Sequence, residues 1–322
     1  MKSENLDHFW QSPNVKRLYK CAVIPCIGLG DGLIASVLSH NLAGAGHQVD
    51  TYHPLMGHLE AFFPKLSFLP RPKEADFLKS YDHVFFIYEK LPWMQALLDQ
   101  YPEKTTILNP IATPNRDYLY WEQGRFDGNL PFVDNLVTFC RERLGIENAD
   151  KDNGIQIPPS VERKKYPQRV VLHPTSSRAG KNWSKDKFIR LAHKLKKSGF
   201  EPIFILTDKE KQDWPEIEAP QFENLAEVAK FVAESGWMIG NDSGIGHLAS
   251  CMGIPTLTIC RSSLSANFWR PAWEKGTVVI PPSWIPNLKG MRWRDKKWQH
   301  FVPVTSVYRK FSQLCELSVL GN

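Results

Sequence analysis

Apolar residues in this chain gather in short runs separated by polar stretches of helical periodicity, the rhythm of a parallel α/β protein. The first run, Cys21-Ala22-Val23-Ile24-Pro25-Cys26-Ile27, leads into Gly28-Leu29-Gly30-Asp31-Gly32. A helix is predicted over 33–45, closed by Gly44 and Gly46. Residues 48–53 read as a second strand, 82–88 as a buried one and 104–108 as a weaker one. Over 131–144, Phe132, Leu136, Phe139, Cys140 and Leu144 fall on one side of a helix.

The pattern then starts afresh. Segment 155–168 is rich in proline and charge (Pro158, Pro159, Arg163, Lys164, Lys165, Pro167) and reads as an interdomain linker. A strand at 169–173, a polar loop to Trp183 and a helix over 184–198 stopped at Gly199 follow. Next come a strand at 202–206, a helix over 225–234 and the apolar Trp237-Met238-Ile239. That run enters Gly240-Asn241-Asp242-Ser243-Gly244-Ile245-Gly246-His247, and Gly253-Ile254-Pro255 introduces a strand at 256–260. The last helix, 304–320, is apolar on one stripe. Alternating strands and helices in both halves predict two Rossmann-like, doubly wound α/β domains facing a central cleft. The expected divisions are 1–157 and 168–302, with the terminal segment 303–322 packing back on the N-terminal domain.

Length agrees with two domains: 322 residues are many for a single core. No stretch approaches the roughly 20 apolar residues that cross a bilayer. Residues 1–20 carry Glu4, Asp7, Lys16, Arg17 and Lys20 and are not a secretory signal, so a cytoplasmic location is expected. The six cysteines are scattered without a Cys-x-x-Cys pair, which argues against a zinc or disulfide framework. No His-x-x-x-His pattern is present, and no metal is expected. The net charge of +6 suits an anionic small substrate or a membrane headgroup surface and does not argue for nucleic acid.

Four stretches carry candidate chemistry. Small residues after Ile239, with Asp242 and Ser243 as good helix N-caps, describe a helix start that favours a phosphate; a structural cap without ligand is the alternative. Gly28 to Gly32 matches a dinucleotide fingerprint poorly. Asp31 there repels an anion, but it can accept a proton from a substrate hydroxyl or simply cap the helix. The loop His173-Pro174-Thr175-Ser176-Ser177-Arg178-Ala179-Gly180-Lys181 offers hydroxyls and cations to a diphosphate, or is a polar surface loop. Trp284, Lys289, Arg292, Trp293, Arg294, Lys296, Lys297 and Trp298 interleave aromatics with cations. They suit an anionic membrane surface or a charged acceptor, or else form a solvated loop whose tryptophans pack on the C-terminal helix; the last reading is the simplest.

In order, these residues resemble the ADP-heptose:lipopolysaccharide heptosyltransferases, inverting glycosyltransferases of GT-B fold. The resemblance is carried by Gly30-Asp31-Gly32-Leu33-Ile34, by His173 to Trp183, by Asn241 to Ala249 with Gly253-Ile254-Pro255-Thr256, and by Phe268-Trp269-Arg270-Pro271. It implies that Asp31 is the general base and that Lys181, with Ser176 and Ser177 or Thr175, stabilises the departing diphosphate. Asp242 would hold donor-sugar hydroxyls, with Ser243, Gly244 and His247 along the phosphates and Glu210 or Asp208 on the ribose. Arg71, Lys73, Arg116 and Arg125 are candidates to meet anionic groups of the acceptor. The implied reaction moves a heptose or related sugar from an ADP-sugar to the lipopolysaccharide inner core without metal or cofactor. Its partners are the nucleotide-sugar donor, a lipid-linked oligosaccharide acceptor and a peripheral inner-membrane contact. A sugar-nucleotide epimerase or hydrolase, or a non-catalytic binding relative, are the alternatives.

Overall fold

The computed structural model describes residues 18–72, 75–87, 96, 100–101, 104–108, 126–288 and 291–319. The chain divides into two compact units, Met1–Gln156 and Ile157–Asn322. The boundary falls within the proline-rich segment, yet that segment is not a free tether. Gln156 N–H donates to the Phe62 carbonyl, Lys164 N–H to that of Ala233 and Tyr166 N–H to that of Glu234.

In the first unit, β1 (Lys20–Ile24), β2 (Gln48–Tyr52), β3 (Ser67–Leu69), β4 (His83–Ile87) and β5 (Thr105–Leu108) form one parallel sheet. Their order is β3-β2-β1-β4-β5, so the winding reverses between β1 and β4. Helix α1 spans Leu29–Gly44 and starts inside the glycine-rich turn rather than after it. It is buried on nearly every side. Its interior polar groups are accordingly satisfied: Ser36 donates to the Gly32 carbonyl, the Ser39 hydroxyl bonds that of Thr51, and Asn41 donates to the Val37 and Asp150 carbonyls. Helix α2 (Phe132–Leu144) buries the predicted Phe132, Leu136, Phe139, Cys140 and Leu144 and stops at the left-handed Gly145.

In the second unit, β6 (Tyr166–His173), β7 (Glu201–Phe204), β8 (Ser235–Asn241), β9 (Thr256–Ile259) and β10 (Gly276–Val279) are again parallel. The order is β10-β9-β8-β6-β7, with the reversal between β6 and β8. Helices α3 (Lys185–Lys197), α4 (Asp208–Lys211), α5 (Leu225–Ala233), α6 (Gly244–Cys251), α7 (Ser263–Phe268), α8 (Trp293–Lys296) and α9 (Val304–Val319) complete it, with a short antiparallel pair, β11 (Asn287–Leu288) and β12 (Met291–Arg292). The apolar stripe of α9, expected to serve the N-terminal domain, is used in this unit. Val307, Phe311 and Leu314 join one core with Leu172, Phe188, Ile239, Ile259 and Trp298.

Phe311 is fully buried and stacks edge-on with Phe200 and Trp237. Phe311→Ala should therefore destabilise the second unit by about 3–5 kcal/mol. Urea unfolding of the variant checks this; an unchanged midpoint would show that α9 is not part of that core.

Candidate functional site

In an open parallel sheet, ligands bind outside the carboxyl ends of the strands where the winding reverses. In the second unit those ends are His173 of β6 and Asn241 of β8. The strands approach closely there because position 240 is glycine: a Cβ on Gly240 would lie 2.8 Å from the His173 carbonyl oxygen. Asn241, fully buried, stitches the following loop to β8. Its Oδ1 accepts from Trp183 N–H at 3.0 Å, and its Nδ2 donates to the Pro174 carbonyl. From behind, Trp183 Nε1 donates to the Val302 carbonyl and Trp298 Nε1 to that of Gly180. The loop expected to carry hydroxyls and cations is thus fixed at both faces.

The result is an ion pair. Lys181 Nζ lies 2.8 Å from Asp242 Oδ2, with Lys181 one-third exposed and Asp242 only 10% exposed. One ammonium proton serves Asp242, and two remain for another acceptor. Beside the pair, Ser243 caps α6 by backbone geometry without a side-chain cap. Gly246 and His247 N–H bond the Ser243 carbonyl, which leaves Gly244 and Ile245 as first-turn amides with no acceptor inside the helix. A cation and a helix start at one strand end are an arrangement that can receive an anion.

The Ser243 hydroxyl is engaged elsewhere. It lies 3.0 Å from His173 Nδ1, and His173 Nε2 lies 3.4 Å from the Thr175 hydroxyl. Thr175 in turn bonds Glu210. Burial lowers the His173 pKa to about 4, against the pull of the Glu210 charge. Burial works to raise the Glu210 pKa, but hydrogen bonds with Thr175 and Thr207 and the nearby His173 hold it below the usual value. Glu210 also closes a capping box with Thr207 on α4. Asp208, the other candidate for the ribose, faces solvent and pairs with Lys211 at 3.3 Å.

The remaining expected donor residues divide. Ser176 turns into its own loop, 2.7 Å from Asn182 Oδ1, whereas Ser177 is exposed. His247 is buried in α6, edge-on to Trp273, and bonded to the Trp269 backbone. Burial brings its pKa to about 4, and its Nδ1 has no hydrogen-bond partner among the described residues. Among the described residues no three His, Cys, Asp or Glu side chains gather as metal ligands.

In the first unit, Gly28 is the N-cap of α1 and Asp31 lies in its first turn, three positions in. A Cβ on Gly28 would come 2.6 Å from Asp31 Oδ2, so the missing side chain is what lets the carboxylate lie back over the helix start. This geometry replaces the expected strand–turn–helix boundary at Leu33 and puts Asp31 at the carboxyl end of β1, beside the reversal between β1 and β4. Of the acceptor candidates, Arg71 is half-buried and close enough for its charge to act on His53. Lys73, Arg116 and Arg125 lie outside the described residues.

His53 was not singled out in the sequence. It is buried, and its Nδ1 accepts from the N–H groups of Leu55 at 3.1 Å and Met56 at 3.3 Å. The proton is therefore on Nε2, which donates to the Gly28 carbonyl at 3.1 Å. A Cβ on Gly32 would meet this ring at 3.0 Å and Met56 at 2.8 Å, which explains a glycine within the first turn of α1. The only sequence signal was a histidine closing the predicted strand 48–53.

The glycosyltransferase family 9 (heptosyltransferase) model matches residues 129–291, half of the chain. A glycosyl transferase family 9 structure from Veillonella parvula is similar at 14% identity and TM-score 0.66, covering 92% of this chain and 97% of that one. E. coli ADP-heptose LPS heptosyltransferase II is similar at 15% identity and TM-score 0.65, covering 93% and 99%. E. coli heptosyltransferase WaaC, solved with ADP, is similar at 11% identity and TM-score 0.61, covering 92% and 99%. No curated protein matches the chain by sequence. The fold is that of the GT-B heptosyltransferases.

Burial, aided by the charge of Arg71 and opposed by hydrogen bonds with the Gly28 and Cys26 carbonyls, lowers the His53 pKa to about 4. In the unfolded chain it titrates near 6.5. The folded state thus binds fewer protons between these values, so stability is full above about pH 6.5 and falls as pH drops toward 4. His53 contributes roughly 3 kcal/mol of that loss. Denaturant unfolding across this range should show a shallower pH slope for His53→Asn than for the parent chain; equal slopes would refute the neutral, buried assignment.

Proposed function

The chain belongs to glycosyltransferase family 9, the heptosyltransferase family, and we propose that it moves a heptose or related sugar from an ADP-sugar to a hydroxyl of the lipopolysaccharide inner core. The proposed reaction is a single displacement, inverting and without a metal ion, in the cytoplasm at the face of the inner membrane. The observation that carries it is the pairing of Lys181 with Asp242 beside the start of α6. The solved neighbours with ADP and with ADP-2-deoxy-2-fluoro heptose support an ADP-sugar as the donor.

In the proposed reaction the acceptor hydroxyl attacks the anomeric carbon while Asp31 takes its proton. The bond from that carbon to the diphosphate oxygen breaks, and ADP leaves with the electron pair. Lys181 and the amides of Gly244 and Ile245 offset the charge that develops on the leaving oxygen. Asp242 has a second task besides holding Lys181: its other oxygen is available to sugar hydroxyls. Glu210, kept ionised through Thr175 and Thr207, accepts from the ribose. His173 joins the two ends of the donor site, since it bridges Ser243 and Thr175.

Asp31→Asn should abolish sugar transfer, by at least about a hundredfold, while ADP binds with near-normal affinity. Full transfer activity in that variant would remove the base assignment. Lys181→Ala should weaken ADP binding and slow turnover together, with titration calorimetry and a nucleotide-release assay as readouts. Unchanged values for both would end its diphosphate role.

A further inference from the structure

The basic, tryptophan-rich stretch splits into two parts with opposite environments. Trp298 is buried in the second-unit core and holds Gly180 from behind. Trp284 and Trp293 are 78% and 54% exposed, although tryptophan is ordinarily among the most buried side chains on average. They belong to one small, tied platform. Arg294 Nη1 donates to the Ser283 carbonyl at 2.8 Å, Arg294 N–H reaches the Pro286 carbonyl, and Ile285 is buried beneath. The two indoles are therefore displayed by a built structure.

The surroundings have a matching chemistry. Between 284 and 298 the sequence has five cations, Lys289, Arg292, Arg294, Lys296 and Lys297, against the single acid Asp295. Lys296 and Lys297 are exposed beside Trp293. Next to Trp284 an apolar recess of about 280 Å³ opens between Ile280, Phe301 and Pro303. Exposed tryptophans with an apolar body and a polar N–H, rimmed by lysines, match the interface of an anionic bilayer. No described helix is long and apolar enough to cross a membrane, so any attachment through this platform is to the surface.

We propose that the platform of Trp284, Trp293, Lys296 and Lys297 is the face by which this protein docks on an anionic lipid bilayer. This deepens the proposed function, and rests on it only for its purpose: a lipid-linked acceptor is presented at such a surface. The docking itself involves no residue of the sugar-transfer chemistry. The indoles supply apolar contact, and the lysines supply attraction that fades within a Debye length and weakens in salt.

Co-flotation of the full chain with vesicles tests it. The protein should float with mixed phosphatidylcholine–phosphatidylglycerol vesicles, less with phosphatidylcholine alone, and less again in high salt. The double variant Trp284→Ala, Trp293→Ala should bind at least about tenfold more weakly. Lys296→Glu with Lys297→Glu should lose about fivefold or more per cation. Unchanged ADP affinity and melting temperature in both variants identify the effect as one of surface and not of folding. Failure of the parent chain to float with the mixed vesicles, or equal flotation of the tryptophan variant, would overturn the proposal. Binding that requires a phosphorylated glycolipid in the vesicle would also overturn it, assigning the platform to the acceptor instead. Vesicle binding by a chain that does not bind ADP would leave the platform standing and remove the proposed function.

Discussion

The ion pair between Lys181 and Asp242 is the contact on which the second unit's site depends. These residues are far apart in sequence and meet because two parallel strands, β6 and β8, end side by side. Asn241 fixes the loop that carries Lys181, and Trp183 and Trp298 brace it from behind. A carboxylate as buried as Asp242 is costly without a cation or hydrogen-bond donors. The pair therefore holds a positive group at the mouth of α6, where the helix start already favours negative charge.

The first unit uses the same topology differently. Its strand end carries a carboxylate where the second unit presents a cation and amides. Gly28 leaves room for Asp31, and Gly32 leaves room for His53, whose two nitrogens are committed to backbone groups on either side. One topology thus yields two chemically opposite strand ends, one suited to accept a proton and the other to receive an anion. In the proposed reaction the first takes a proton and the second receives the leaving diphosphate.

Much of this was legible in the sequence, for local reasons. Strands β1, β4, β6 and β8 each contain a short apolar run (21–24, 84–87, 170–172 and 237–239) because both sheet faces are covered, β9 alternates threonine with leucine and isoleucine, and α2 and α9 follow their stripes. The start of α1 was misplaced because Gly30 and Gly32 are poor helix formers, and tertiary packing against His53 and Met56 overrides that preference. Strand β3 and the short β11–β12 pair carry no alternating pattern long enough to read. The role of α9 in the second core depends on Phe200 and Trp237, which no periodicity within α9 reveals. The site was legible in its residue types and opaque in its connections. Asp242 and Lys181 were both singled out, but their pairing, the His173 bridge and the turning of Ser176 into its loop are long-range or conformational facts.

The proposed reaction requires the Lys181–Asp242 corner of the second unit to receive the diphosphate of the donor. A crystal structure of the full chain with ADP tests it most directly. Diphosphate oxygens should lie within hydrogen-bond distance of Lys181 Nζ and of the Gly244 and Ile245 amides, with the ribose toward Glu210. A diphosphate bound instead at the Gly28–Gly32 turn of the first unit, or away from α6, would contradict it.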